Sequence, residues 1–172
     1  DIEIVKKGLE NYLFFINPTH EDYAQFRIFN ETQIVKVAAG KITDKDIEEL
    51  KENIREMEQE PDGERFYSDL DVAFHKKIAE ISGNPIVAVV VESVQSALIR
   101  LKRIIETDRE FLDIVCRGHW EILEALEARD PEKASYFMLK HIKEVEEGLR
   151  KCQNRYSSKQ KELFKKNNYE VA

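Results

Sequence analysis

Apolar residues recur along this chain at intervals of three and four positions, with charged and polar residues between them. That spacing gives an α-helix one apolar face, whereas a half-buried β-strand would alternate at every second residue. The clearest examples are two runs: Leu70, Phe74, Ile78 and Ile81, and Leu112, Val115, Ile122 and Leu126. Because no stretch alternates with period two for long enough to form a strand, we predict an all-α fold.

Glycine and proline fall mostly between these helical patterns and divide the chain into pieces of helix length. Thr19 with Asp22, and Thr43 with Asp46, have the spacing of a capping box at a helix start. Asp130 precedes a proline, which suits an N-cap followed by the first helical position. The pattern predicts helices over 2–16, 20–39, 44–59, 64–82, 85–106, 109–129 and 131–154. Short connections between such helices favour an antiparallel bundle of six to seven helices.

One predicted helix is apolar around more of its circumference than a single buried face requires. It begins with Ile86–Val91 and continues through Val94, Ala97, Leu98 and Leu101. A helix of this kind lies at the centre of a bundle or at a subunit interface, and both interpretations stay open. The second would pair two copies of the chain, and we expect a homodimer.

The composition limits the possible functions. With 172 residues the chain has the size of one domain, and 27 Lys and Arg against 34 Asp and Glu give a formal net charge of −7. Since binding to duplex DNA draws on a basic surface, this chain alone is not expected to coat DNA. Two cysteines cannot make a disulfide framework and favour a reducing, cytoplasmic location. No apolar run approaches the ~20 residues that span a bilayer, so we expect no membrane partner.

The end of the chain differs in charge from the rest. Residues 156–172 contain four Lys and two Glu, so residues 1–155 carry a net charge of −9. We expect residues 1–155 to form the domain and residues 156–172 to be a basic tail or a short final helix. The chain begins with Asp1 instead of Met, and we therefore expect a fragment of a longer protein.

Three of the four histidines lie in or beside the apolar stripes of predicted helices. Asp71 and His75 are four residues apart, so their side chains share one helix face. His119 and His141 each lie eleven residues from Asp130, where the chain turns between two long helices. With a rise of ~1.5 Å per residue, both are ~16 Å from that turn. In antiparallel neighbours the two imidazoles therefore come level with one another.

One carboxylate and three imidazoles are a ligand set for a divalent transition metal. Zinc and nickel are the ions we favour, and manganese, cobalt and iron have compatible ligand preferences. The four groups could close a tetrahedral site, or occupy four of six octahedral positions and leave room for a small molecule. The alternative is that each histidine is a hydrogen-bonded core residue, which would require a buried partner for every ring.

Segments around these residues carry a family resemblance. They are Asp71–His75, Ser82–Pro85, His119–Pro131, Ala134 with Met138–His141, Arg27–Glu31 followed by Ala38 and Ala39, and the predicted helix at Asp46–Met57. Together they resemble the FCD domain, the all-helical effector-binding domain of FadR-type regulators in the GntR family of bacterial transcription factors. The resemblance covers roughly residues 10–150.

The resemblance implies a function for the candidate ligands. It implies that Asp71, His75, His119 and His141 bind a metal inside the bundle, and that a small carboxylate effector completes its coordination. Arg27 is then the residue expected to bind the carboxylate. The family's N-terminal winged helix-turn-helix is absent from this chain, so DNA would be bound only through that missing domain.

Two other functions fit the same residues. A metal-dependent enzyme could use an open coordination position, with Cys116 as a nucleophile three residues before His119. Against it, the chain has no His-Glu-x-x-His motif and no Glu three residues before any His. The other candidate is a structural metal site in an interaction module, in which Arg27 would make only a salt bridge to Glu31. We predict a sensor domain and no enzyme.

Overall fold

The computed structural model describes residues 2–59, 66–105 and 108–169. These residues form seven α-helices and no β-strand, which confirms the predicted all-α class. The helices are α1 (Ile2–Ile16), α2 (His20–Ala39), α3 (Asp44–Glu58), α4 (Phe66–Ile81), α5 (Pro85–Ile105), α6 (Arg109–Glu127) and α7 (Pro131–Tyr169). The predicted start of the fourth helix at 64 and the predicted end of the fifth at 106 lie outside the described residues.

The helix starts follow from the capping residues. The Thr19 hydroxyl accepts a hydrogen bond from the Asp22 backbone N–H at 3.1 Å, while the Asp22 carboxylate accepts one from the Thr19 N–H at 2.8 Å. Thr43 and Asp46 repeat this arrangement at the start of α3. At α7 the Asp130 carboxylate accepts from two backbone N–H groups, at 3.1 and 2.9 Å. Each cap satisfies donors that the first helical turn leaves unpaired.

The last helix is longer than the sequence pattern indicated. It continues to Tyr169, whereas the apolar periodicity predicted an end near 154. Beyond Gly148 the sequence has no glycine or proline and includes five lysines, two arginines and two glutamines, which are good helix formers. Backbone propensity therefore extends α7 past the last part of its buried face. The end of the predicted tail, at 170–172, lies outside the described residues.

The helices pack around a core in which α7 is central. It lies against α2 and α6, while α4 contacts α3 and α5, and α1 packs on α5. Ala128–Asp130 joins α6 to α7, and Arg129 adopts the left-handed backbone conformation there, at φ 51°. This short connection makes α6 and α7 neighbours. Side chains buried together in this part of the core include Val35, Ala38, Phe74, Ile122, Met138 and Ile142.

The apolar helix α5 contributes much of its surface to the inside of the bundle. Val91, Val94 and Leu98 are each exposed by 6% or less. These three side chains therefore lie in the bundle interior, which is one of the two predicted locations. Ile86, at the start of the helix, is 73% exposed. Among the described helices, none combines the length and the apolar character needed to cross a membrane.

The Thr43 cap makes a measurable contribution to stability. Thr43→Ala removes the acceptor for the Asp46 N–H, so we expect the free energy of unfolding to fall by about 1 kcal/mol. Urea denaturation followed by circular dichroism measures this. Lys45→Ala is the control, because the Lys45 side chain is exposed in the first turn of the same helix. Equal unfolding free energies for the two variants would contradict the assigned role of the cap.

Candidate metal centre

The centre of the bundle holds a cluster of polar and charged side chains. They come from five helices, and each is exposed by 3% or less: Arg27, Glu31, Asp71, His75, Gln95, His119 and His141. Burying such groups without partners costs several kcal/mol each, so their mutual arrangement has to compensate. We call this set the central cluster. It occupies a position where a helical bundle ordinarily has only apolar side chains.

The four predicted metal ligands all lie within the central cluster. Asp71 and His75 lie one turn apart on α4, His119 is on α6 and His141 is on α7. One potential ligand atom from each lies within 4.8 Å of the others. The Asp71 Oδ1 atom is 3.2 Å from His119 Nε2 and 3.6 Å from His75 Nε2. The two pairs that the residue spacing predicted, Asp71 with His75 and His119 with His141, thus lie together in one group.

His119 and His141 are level with one another across the α6–α7 pair. Their ring centroids are 4.8 Å apart. The Phe74 ring stacks on His119 with centroids 3.8 Å apart and planes inclined by 8°, which fixes the plane of that imidazole. Phe74 therefore belongs to the site as well as to the apolar core, because it packs one ligand and directly precedes another.

Gly118 provides the space that the His141 ring occupies. A Cβ atom at position 118 would lie 3.0 Å from His141 Cγ and 3.2 Å from its Cβ, and closer still to Nδ1. Such distances are shorter than carbon contacts in packed interiors. The absence of a side chain at Gly118 thus allows α7 to bring His141 against the backbone of α6.

The His141 imidazole has no hydrogen-bond partner among the described residues for either ring nitrogen. Burial, together with the neighbouring His119, His75 and Arg27, lowers the pKa of His141 well below its usual value. The ring is therefore neutral at physiological pH and carries a nitrogen lone pair. A buried lone pair beside a carboxylate and two further imidazoles fits a cation, and this ligand set is one that divalent transition metals accept.

Glu31 connects three helices at the edge of the predicted ligand set. Its Oε1 atom accepts hydrogen bonds from Arg27 Nε at 2.8 Å and from Gln95 Nε2 at 2.9 Å. Its Oε2 atom lies 2.7 Å from His75 Nδ1. Burial opposes ionisation, but the Arg27 guanidinium and His75 outweigh it and lower the pKa of Glu31 to about 2. Glu31 is therefore a buried carboxylate anion.

Arg27 reaches the ligand set itself. Its Nη2 atom lies 3.1 Å from His75 Nε2, while its Nε atom donates to Glu31. The salt bridge and the contact with the cluster are thus both present. Arg27 and Glu31 also affect the pKa of His75. Burial and Arg27 lower this pKa, while Glu31 and Asp71 raise it, and the net shift is upward.

Two residues of the central cluster were not predicted as site residues. The sequence indicated Glu31 only as a salt-bridge partner of Arg27 and predicted no role for Gln95. The available indication for Gln95 was a polar side chain inside the most apolar helix of the chain. That position would be unfavourable for an amide unless a polar partner lay opposite it.

Cys116 is not among the four grouped ligands, although it is buried on the same helix as His119. Burial, with the nearby Glu58 and Asp71 carboxylates, raises the pKa of the Cys116 thiol to about 12. A thiol with that pKa is almost entirely protonated at neutral pH, whereas the thiolate is the reactive form. The raised pKa therefore disfavours a nucleophilic role for Cys116.

Comparison with known proteins identifies the family. The family model of the FCD domain, which describes the sequences of that family, matches residues 22–144. HTH-type transcriptional repressor NanR from Salmonella newport and from Salmonella typhimurium are each 31% identical over 126 residues, covering 72% of this chain and 48% of the repressor. The chain thus spans about half the length of these relatives.

A solved structure has the same fold. GntR from Streptococcus agalactiae superposes with a TM-score of 0.64 at 23% sequence identity, covering 74% of this chain and 58% of that one. The family match includes all four grouped ligands together with Arg27 and Glu31, since all lie between residues 22 and 144. The chain belongs to the FCD domain family, as the FCD-type domain of the GntR family of transcription regulators.

Proposed function

We propose that this domain senses a small carboxylate through a bound divalent transition metal, and that it does so for a bacterial transcription regulator. Asp71, His75, His119 and His141 would hold the metal, and Arg27 would bind the carboxylate. The observation that carries the proposal is the convergence of the four ligand atoms within 4.8 Å in the core, at a site where both His141 nitrogens lack a hydrogen-bond partner among the described residues.

The ligand chemistry favours zinc or nickel. Zinc accepts imidazole nitrogen and carboxylate oxygen and is commonly four-coordinate, so these groups could surround it alone. Nickel accepts the same donors and tolerates six-coordinate geometry, which would leave positions for a bound molecule. Manganese, cobalt and iron are also compatible with one oxygen and three nitrogens. The metal would supply Lewis-acid attraction for an anionic ligand.

The charge balance of the central cluster supports a monoanionic ligand. Glu31 is ionised, Asp71 would be ionised as a metal ligand, Arg27 contributes one positive charge, and the three imidazoles bind a metal only when neutral. A dication would therefore leave a net charge of +1 in a buried site. Because an uncompensated buried charge is costly, one carboxylate group is the matching partner. Arg27 can meet it with the guanidinium geometry that suits carboxylates.

Arg27 also separates this proposal from its alternatives. A purely structural metal site would need Arg27 only as the partner of Glu31, whereas its guanidinium also lies 3.1 Å from His75 Nε2. Cys116, the nucleophile considered for an enzyme, is unsuited to that role because its thiol is protonated at neutral pH. The named relatives are transcriptional repressors, which supports a binding function without catalysis.

Signalling would depend on how ligand binding changes helix packing. A carboxylate held by both the metal and Arg27 would join α2 to α4, α6 and α7. The change would reach DNA through an N-terminal winged helix-turn-helix outside this chain, in a cytoplasmic homodimer. The shift in operator affinity is limited by the difference in ligand affinity between the two domain arrangements.

Metal content tests the first half of the proposal. We expect elemental mass spectrometry to find about one equivalent of metal per chain after zinc or nickel loading and desalting. His119→Ala and His141→Ala should each lose it, because each removes one of four ligands. His20→Ala is the matched control, since His20 lies against Glu146 on the outside of the cluster. Metal retained at full occupancy in both ligand variants would refute the site.

Gly118→Ala tests the fit of His141 without removing a ligand. The added methyl group would displace the His141 ring, so we expect zinc affinity to fall at least tenfold. Gly8→Ala is the control, because nothing lies within 4 Å of a Cβ at that position in α1. Competition with a chromophoric chelator measures both variants. Wild-type zinc affinity in Gly118→Ala would show that His141 is not held in place for the metal.

Isothermal titration with mono-, di- and tricarboxylates, including hydroxy and keto acids, tests the second half. We expect binding by zinc-loaded protein and at least tenfold weaker binding by metal-free protein. Arg27→Lys should weaken carboxylate binding in the zinc-loaded protein, because lysine keeps the charge but loses the planar pair of donors. Arg117→Lys is the control, an exposed arginine paired with Glu144. Equal affinity with and without metal would refute the proposed coordination.

A further inference from the structure

Glu31 is the one buried carboxylate of the central cluster that is not among the four grouped ligand residues. It contacts a ligand on α4, the anion-binding candidate on α2 and an amide on α5. We infer that Glu31 is a positioning residue, which orients His75 for the metal and Arg27 for the carboxylate at the same time. This inference rests on the proposed metal site and adds a regulatory link to it.

The contact with His75 determines which ring nitrogen is available. Glu31 Oε2 lies 2.7 Å from Nδ1, a distance at which a carboxylate oxygen and an unprotonated ring nitrogen would repel each other, so we place the proton of the neutral imidazole on Nδ1. Nε2, which is 3.6 Å from Asp71 Oδ1, then carries the lone pair and faces another ligand. A carboxylate behind a ligating imidazole fixes both its tautomer and its orientation.

The contact with Arg27 places the other functional group. Because Nε donates to Glu31 Oε1, the guanidinium is held with Nη2 3.1 Å from His75 Nε2, where it donates to the ring lone pair. A metal bound at Nε2 would take over that lone pair and leave Nη2 beside the metal for the carboxylate. The same oxygen accepts from Gln95, which anchors the carboxylate to α5. One side chain thus sets the positions of the metal-binding nitrogen and of the guanidinium.

An isosteric change shows why the carboxylate is required. In Glu31→Gln, an amide nitrogen facing His75 would donate to Nδ1 and move the ring proton to Nε2, which blocks metal binding there. If the amide were reversed, its nitrogen would oppose two donors, Arg27 Nε and Gln95 Nε2. Both orientations leave buried groups mismatched, so the variant loses function without any change in side-chain size.

The test uses zinc and cobalt alone, without any effector. Zinc affinity is measured by chelator competition, and cobalt binding by the visible d–d absorption bands, which report the ligand geometry. We expect Glu31→Gln to bind zinc 10- to 100-fold more weakly and to show an altered cobalt spectrum. Thr32→Val is the matched control, since Thr32 is the next residue, is also buried, and donates to Ile28 O of its own helix.

A second pair of variants keeps the test decisive if Glu31→Gln does not fold. Gln95→Leu removes one of the two hydrogen bonds to Glu31 Oε1, and we expect a several-fold loss of zinc affinity with a shifted cobalt spectrum. Ser93→Ala on the same helix is its control, because the buried Ser93 hydroxyl donates only to Val89 O.

The possible outcomes distinguish the two proposals. If the wild-type protein binds neither zinc nor cobalt, the proposed metal site fails and this inference fails with it. If the wild type binds and His141→Ala does not, but folded Glu31→Gln retains wild-type affinity and spectrum, only the positioning role of Glu31 is overturned. Where Glu31→Gln does not fold, wild-type behaviour of Gln95→Leu overturns it.

Discussion

The structure depends on how the bundle compensates charged and imidazole groups that it removes from water. Arg27 pairs with Glu31, Glu31 pairs with His75, and Asp71 lies against both His75 and His119. In a low-dielectric interior each contact offsets part of a desolvation cost of several kcal/mol. The chain of pairs ends at His141, whose nitrogens have no hydrogen-bond partner among the described residues. A cation at this point would extend the compensation to the whole cluster.

The apolar packing around the central cluster sets the positions of its imidazole rings. The short Ala128–Asp130 connection sets the register of α6 against α7 and thereby brings His119 and His141 to one height. Phe74 holds the His119 ring by stacking, and Gly118 admits the His141 ring. Because interiors are close-packed, a methyl group added at such a point displaces its neighbours instead of filling empty space. The cluster is therefore as sensitive to volume as to charge.

Helical periodicity and capping residues were sufficient to predict the fold class, and residue spacing predicted two pairs of side chains, Asp71 with His75 and His119 with His141. These features are spacings within one helix, or spacings across the short turn between the antiparallel helices α6 and α7. The role of Gln95 depends on a residue 64 positions earlier in the chain, and no local pattern expresses that contact. The length of α7 was underestimated for a different reason, since apolar spacing does not record backbone propensity in a polar segment.

The distribution of the functional groups over the helices explains how a small ligand could act beyond its own site. The four grouped ligands come from α4, α6 and α7, whereas Arg27 comes from α2. A carboxylate that bridges the metal and Arg27 would restrain α2 relative to the other three helices. Couplings of this kind usually amount to about 1–3 kcal/mol, which changes a second affinity by roughly 5- to 150-fold.

The path from α2 towards the N-terminus is short. Asn17–Thr19 joins α1 to α2, and Asn17 adopts a left-handed conformation at φ 48°. A three-residue connection limits how far α2 can move unless α1 moves with it. The Lys6–Glu92 ion pair, at 2.6 Å, ties α1 to α5, which also carries Gln95. If a DNA-binding domain precedes α1, a change at Arg27 and Glu31 would therefore reach it by two routes, through the α1–α2 connection and through α5.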